Sequence, residues 1–299
     1  MDWDKLKSFH KAAESGSLTA AAEALTLSQS AVSRQIAALE EQLGVALFHR
    51  HARGLTLTEQ GRLLRQTTED IAARVGFAEA MLRDSRDKPS GDLRVTAPLA
   101  LGAMWLAPRL KDFLERFPEI RLQLLLDDAE LDVANLEADC AVRLWSAKQG
   151  DLVQTKIGVV RQHLYASSDY VARHGAPQTL DALDQHRLVA YGASRPTPMT
   201  GIDWAFTADP SKDAACEPQL KINNVAAILA AVEAGLGVAS LPDYVAIDRK
   251  LVRILPELEG PKFDLHFIYP EELRNSKRIA AFRDFVKSAA SYVTKASGR

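Results

Sequence analysis

The sequence has only two cysteines, Cys140 and Cys216, far apart and in no metal-ligand spacing. That excludes a disulfide framework or a zinc knuckle and fits a reducing compartment. No proline occurs before Pro89, so the first stretch lacks the residue that most often interrupts helices. Long apolar runs are missing too. The longest, Val225 to Val232, falls well short of the ~20 residues that span a bilayer. Met1-Asp2-Trp3-Asp4-Lys5 contains no apolar leader segment, so the expected setting is cytoplasmic, with no membrane contact. Charge of either sign is not in excess. Lys+Arg total 37 and Asp+Glu 39, a formal net charge of -2, which excludes a broadly basic, DNA-coating protein but leaves room for a local basic site.

Enzyme signatures are also lacking. Gly235-Leu236-Gly237-Val238-Ala239-Ser240 approximates a dinucleotide fingerprint, but it follows a helical pattern and enters a strand, the reverse of the required order. Gly192-Ala193-Ser194-Arg195-Pro196 fails as a nucleophile elbow because of its proline. The pairs Asp127-Asp128 and Glu271-Glu272 read as solvated loop charges. No catalytic residue, cofactor or metal site is expected, and the chain does not read as an enzyme.

What is present divides at Lys88-Pro89-Ser90-Gly91, a linker composition with a change of hydrophobic period on either side. At 299 residues and 47% hydrophobic content, two domains with ample cores are expected. In the first, Leu6, Phe9 and Ala13 have helical spacing, and Gly16 ends that helix as a left-handed cap. A short Ala-rich helix runs over about 19–25. A third helix begins after Ser28, a capping residue, and stops at Gly44, with Val32, Ile36, Leu39 and Leu43 as its apolar stripe. Gln29, Ser30, Ser33 and Arg34 fall on another face, which is rich in hydroxyls and amides where a solvated face usually carries Lys and Glu.

Helix, tight turn and second helix with such a face make a helix-turn-helix, whose second helix reads the major groove. Arg34 suits guanine and Gln29 adenine, with Ser30 or Ser33 on base or phosphate. Leu47 to Leu57 reads as two short strands around Ala52-Arg53-Gly54, a wing that carries Arg50, Arg53, His49 and His51. Cations there meet phosphate, whereas the two histidines lack a third ligand nearby and make no metal pair. The candidate DNA contacts are Ser28, Gln29, Ser30, Ser33, Arg34, Arg50, Arg53 and Thr58. Residues 1–62 hold seven Lys/Arg and seven Asp/Glu, so binding is expected to need two or more joined heads.

After Thr58, positions 64, 68, 71, 75, 78 and 82 hold Leu, Thr, Ile, Val, Ala and Leu. That is a heptad seam on a helix about 43 Å long, read as a dimerisation element. Beyond residue 92, strand-like segments (Ile120–Leu126, Val153–Val160 and Gln162–Ala166 among them) alternate with helix-like ones (one from about Leu101 to Phe117), as in an α/β domain with mostly parallel sheets. In such sheets ligands sit beyond the carboxyl ends of strands. Thr96, Ala97, Pro98, Leu99 and Ala100 follow one strand and Asn223 another, while Arg143 with Trp145 and Tyr191 with Arg195 end or follow two more. These ten are the candidate effector contacts, and the arginines favour a small anionic molecule. A rival reading is a solute sensor whose first helices only dimerise; the polar face of the third helix speaks against it.

Ser17-Leu18-Thr19-Ala20-Ala21-Ala22-Glu23-Ala24-Leu25, Ser28-Gln29-Ser30-Ala31-Val32-Ser33-Arg34-Gln35-Ile36, Leu39-Glu40, Leu43-Gly44, Leu47-Phe48, Arg50, Arg53 and Leu57-Thr58 with Gly61 together resemble the LysR-type transcriptional regulators. Thr96-Ala97-Pro98 and Asp139-Cys140-Ala141-Val142-Arg143-Leu144 are similar to its glycine-cleavage-activator-like branch. The resemblance implies a winged helix-turn-helix domain (1–59), a dimerising linker helix and hinge (60–91), and an α/β effector domain (92–299). The last would have two periplasmic-binding-protein-like lobes, about 92–161 with 266–299 and about 162–265. It also implies double-stranded DNA and a small-molecule effector as partners, dimers that assemble into tetramers, and RNA polymerase as a further partner open to such a regulator.

Overall fold

Three capped helices open the chain, each bounded by the residues that satisfy its end groups. The computed structural model describes residues 2–51, 54–83, 88–128, 138–147, 151–192, 201–206, 217–247 and 249–296. Helix α1 (Trp3–Ser15) starts at Asp2 and ends at left-handed Gly16. Helix α2 (Leu18–Leu25) starts at Ser17 and ends at Thr26, a non-glycine residue held at φ 55. Helix α3 (Gln29–Leu43) starts at Ser28, whose hydroxyl accepts the Ala31 N–H at 3.2 Å. Phe9, Ala21, Val32, Ile36, Leu39, Leu47 and Phe48 form one core between them. Leu43, the fourth member of the expected stripe, is 36% exposed, because the last turn of α3 runs past the core.

Strands β1 (Phe48–His51) and β2 (Gly54–Leu57) pair antiparallel, Phe48 opposite Leu57 and His51 opposite Gly54. The wing is tied to the helices at both strands. The Leu55 N–H donates to the Gly16 carbonyl at 3.0 Å. On the other strand, Glu40 of α3 accepts the Leu47 and Phe48 N–H groups on one carboxylate oxygen, at 2.7 and 3.2 Å.

Helix α4 (Glu59–Arg83) leaves from Thr58. A Cβ at Gly61 would collide with the Leu47 carbonyl, so only glycine lets the helix pass this close. The heptad seam divides. Leu64 packs on the core of this domain, and Thr68 is buried with its hydroxyl 3.4 Å from His10 Nδ1. Ile71 is half-buried and Val75 is 40% exposed. The Ala78 and Leu82 side chains lie outside the described residues. The first third of the expected seam therefore faces its own domain. Periodicity reports an apolar stripe and not what covers it.

The chain forms two compact units, with the break within α4 between Ala80 and Met81. In the second unit, strands β3 (Gly91–Ala97), β4 (Ile120–Leu126), β5 (Cys140–Arg143), β6 (Leu152–Ser167), β7 (Leu188–Tyr191), β8 (Leu220–Ile222), β9 (Val238–Pro242), β10 (Leu251–Ile254) and β11 (Lys262–Pro270) build one connected sheet. Its order is β4-β3-β5-β11-β6-β9-β7-β8, with β10 also on β6. β6 is a single strand where two were expected. Its Leu152–Arg161 half pairs with β11, and from Gln162 onward it pairs with β9 and β10. This exchange of partners at Arg161/Gln162 marks out a first lobe of β4, β3, β5 and β11 and a second of β9, β7, β8 and β10. The return strand β11 begins at Lys262.

The sheet is mixed rather than mostly parallel. β3–β4, β3–β5, β7–β8 and β7–β9 are parallel, and every antiparallel pair in this unit involves β6 or β11. The two connecting strands run against the parallel strands of the lobes. Among the described residues, helices α5 (Leu110–Arg116), α6 (Ser168–His174), α7 (Val225–Glu233) and α8 (Asp243–Ala246) accompany the sheet. A further helix, α9 (Lys277–Ala296), lays Phe282 edge-on to Phe113 at 5.0 Å in the first-lobe core. The single helix expected over 101–117 is instead a π-helical turn (Leu101–Leu106), a 3-10 turn through Pro108 and α5, since proline withholds an N–H from the ladder.

Replacing Glu40 with alanine leaves the two wing N–H groups without their acceptor. The expected cost is about 1–3 kcal/mol of stability in the first domain, read as a lower denaturant midpoint by circular dichroism. An unchanged midpoint would show that water substitutes for the carboxylate.

Candidate functional site

Burying Val32, Ile36 and Leu39 turns the opposite side of α3 outward, since residues three and four apart share a face. Ser30 and Arg34 are exposed there and Ser33 is half-buried, while Ser28 and Gln29 are exposed at the helix start, ahead of the buried stripe. The Ser28 and Ser30 hydroxyls lie 3.0 Å apart, and Arg34 folds back so that its Nε donates to the Ser30 carbonyl at 3.3 Å. The wing adds exposed His49 and His51, the latter 3.2 Å from the Thr56 hydroxyl. Arg50 sits on β1 opposite Leu55, with its side chain outside the described residues, as is Arg53 altogether. Thr58 is not on this surface. It is 7% exposed, its hydroxyl donating to the Ala46 carbonyl at 2.8 Å and accepting the Gly61 N–H at 2.9 Å. It starts α4 and positions the wing.

The second candidate site lies where the loops after β3 and β4 meet the second lobe. Thr96, Ala97, Pro98 and Ala100 are buried, and Leu99 is half-buried. Arg143, read from sequence as an anion holder, is 2% exposed and already engaged. It donates to the Thr96 hydroxyl at 2.9 Å and to the Asp127 carbonyl at 3.0 Å, with Trp145 beneath it at 5.5 Å. It braces the two loops and offers no free fork. Asn223 is exposed before α7, Tyr191 is half-buried at the end of β7, and Arg195 lies outside the described residues.

Sequence reasoning missed a residue here that links the two lobes. Asp128 is half-buried, accepts the Leu99 N–H at 2.9 Å, and meets Asn224 Nδ2 of the second lobe at 3.4 Å. Asn224 also caps α7, accepting the Ala227 N–H. Burial raises the Tyr244 and Tyr191 hydroxyls above the usual phenol range, and the Asp128 charge adds to it in both. Tyr191 is fixed through its N–H, which donates to both oxygens of Asp203 at 2.9 and 3.0 Å. Beside the strand exchange, His163 Nδ1 lies 2.6 Å from Asp243, which also accepts the Tyr165 hydroxyl. Two adjacent acids in a loop gave no signal that one is solvated and the other turned inward. Among the described residues, no group of three or more His, Cys, Asp or Glu side chains converges as a metal site would, and no helix is long and apolar enough to cross a membrane.

Comparison with known proteins covers both parts of the chain. Residues 3–62 match the bacterial regulatory helix-turn-helix protein, lysR family, and residues 86–291 match the LysR substrate binding domain. An HTH-type transcriptional regulator of Xanthomonas campestris is 32% identical over 289 residues, which is 95% of this chain and 84% of that protein. The structure of CrgA, a LysR-type transcriptional regulator from Neisseria meningitidis, is similar with a TM-score of 0.60 at 26% identity, over 98% of this chain and 99% of that one. Full-length CbnR, solved in complex with its target DNA, shares the fold with a TM-score of 0.67 at 24% identity, over 97% and 100%. These relatives are regulators, not enzymes. The chain belongs to the LysR family of transcriptional regulators, with a helix-turn-helix DNA-binding domain ahead of a substrate-binding domain.

Proposed function

We propose that this regulator reads specific double-stranded DNA through Gln29, Ser30, Ser33 and Arg34, with Ser28, Arg50 and Arg53 on phosphate. The observation that carries this reading is the outward polar face of α3 beside a two-stranded wing. Thr58 enters only as the residue that sets α4 and the wing. CbnR was solved on its target DNA, which supports the same use of this domain. The domain boundaries follow at 59 and 91. The protein works in the cytoplasm, on the chromosome, as a dimer joined through α4 and as a tetramer of two such dimers, in reach of RNA polymerase.

The effector is a small molecule with an anionic group, held between the lobes by Leu99, Trp145, Tyr191, Arg195 and Asn223, with Thr96, Ala97, Pro98, Ala100 and Arg143 shaping the wall. Since Arg143 is spent, the anion falls to N–H groups at the start of α7 beside Asn223. Effector binding closes the lobes and alters the presentation of the two reading heads, a coupling that is reciprocal in free energy.

Arg34→Ala is expected to cost about 1–3 kcal/mol of operator affinity and to leave random DNA nearly unaffected, measured by fluorescence anisotropy on both. Equal losses on the two would reduce Arg34 to a phosphate contact. For assembly, Ile71→Asp is expected to give monomers in sedimentation at concentrations where the wild-type chain is dimeric, since a charge is costly in an apolar seam. A dimer of unchanged strength would remove α4 from the interface.

A further inference from the structure

Asp128 is a carboxylate partly withdrawn from water between two lobes. One oxygen is satisfied by the Leu99 N–H at 2.9 Å. The other meets only Asn224 Nδ2 at 3.4 Å, at the long limit for a hydrogen bond. No cation among the described residues pairs with it. The arginine nearest in the sequence pattern, Arg143, is bound to Thr96 and the Asp127 carbonyl. From the second lobe come Tyr191 and Tyr244, neutral aromatic groups close enough to feel the Asp128 charge. A half-buried anion whose hydrogen-bond partners are both neutral is a site that one positive charge would complete.

We propose that the effector presents a protonated amine to the Asp128 carboxylate, in the place now held by Asn224 Nδ2. The proposal rests on the reading of the cleft as the effector site and adds a charge to it. With an anionic group at the start of α7, the effector is amphoteric, an amino-acid-like molecule rather than a simple carboxylate. An ammonium supplies up to three donors and forms a charge-assisted bond that the neutral amide cannot. Because Asp128 belongs to the first lobe and both tyrosines to the second, the amine joins the lobes and stabilises the closed state by its differential contacts.

The test uses the full chain and matched trios of compounds: L-amino acids, the carboxylates that lack their amine, and the amines that lack their carboxylate. Binding is followed by thermal shift and then by calorimetry. At least one amine-bearing compound is expected to bind, its deaminated partner at least about tenfold more weakly. Asp128→Asn, which keeps an oxygen for the Leu99 N–H, is expected to erase that preference. Binding by no amine-bearing compound, or equal binding with and without the amine, overturns the proposal on wild-type protein alone. Asn223→Trp, placed at the exposed mouth of the cleft, separates the two readings. A ligand excluded by it yet indifferent to Asp128→Asn overturns only the charge assignment, whereas one that binds regardless of Asn223→Trp overturns the cleft as the effector site.

Discussion

A short helix in a small domain can bury one side only, and the rest of the DNA-binding half follows from which side α3 buries. Val32, Ile36 and Leu39 are fully enclosed, which commits Ser30 and Arg34 to solvent, while Gln29 is exposed as the first residue of the helix; all three are placed to meet base edges. The same burial places Glu40 where its carboxylate gathers the first two N–H groups of the wing. One packing choice thus orients both elements that approach DNA. Thr58 and Gly61 extend it, one by starting α4 and the other by letting α4 pass the Leu47 carbonyl. The net balance of charge in this domain leaves affinity to a few placed cations and to joined heads.

In the effector half, the corresponding constraint is the pair of strands that serve both lobes. β6 keeps one continuous backbone while exchanging β11 for β9 and β10 at Arg161/Gln162. A strand hydrogen-bonded on each side of such a point can bend there without breaking either sheet, which suits a hinge. The proposed effector site lies beside it. Arg143 stiffens the first-lobe wall by binding two loops at once, and Asp128 and Asn224 reach across from opposite lobes.

What could be read from the sequence was local. The caps Gly16, Ser28 and Gly44 bound their helices as expected, and Ile120–Leu126 is a strand to the residue, because these signals act within a turn or along one strand. Partners far along the chain were not legible. The stripe containing Leu64 and Thr68 was visible, but not that its cover is α1 and the domain core. Arg143 was singled out, but only the fold shows its guanidinium bound to Thr96, 47 residues away. Asp128 carried no pattern of its own, since its meaning depends on Asn224, 96 residues later.

The central claim is that α3 reads bases in the major groove through the face it cannot bury. Methylation of guanine N7 by dimethyl sulfate reports directly on that groove. On a bound half-site, the wild-type protein is expected to shield a guanine that regains its reactivity when Arg34 becomes alanine, with the remaining pattern unchanged. Identical protection with arginine and alanine, at saturating protein, would contradict the account.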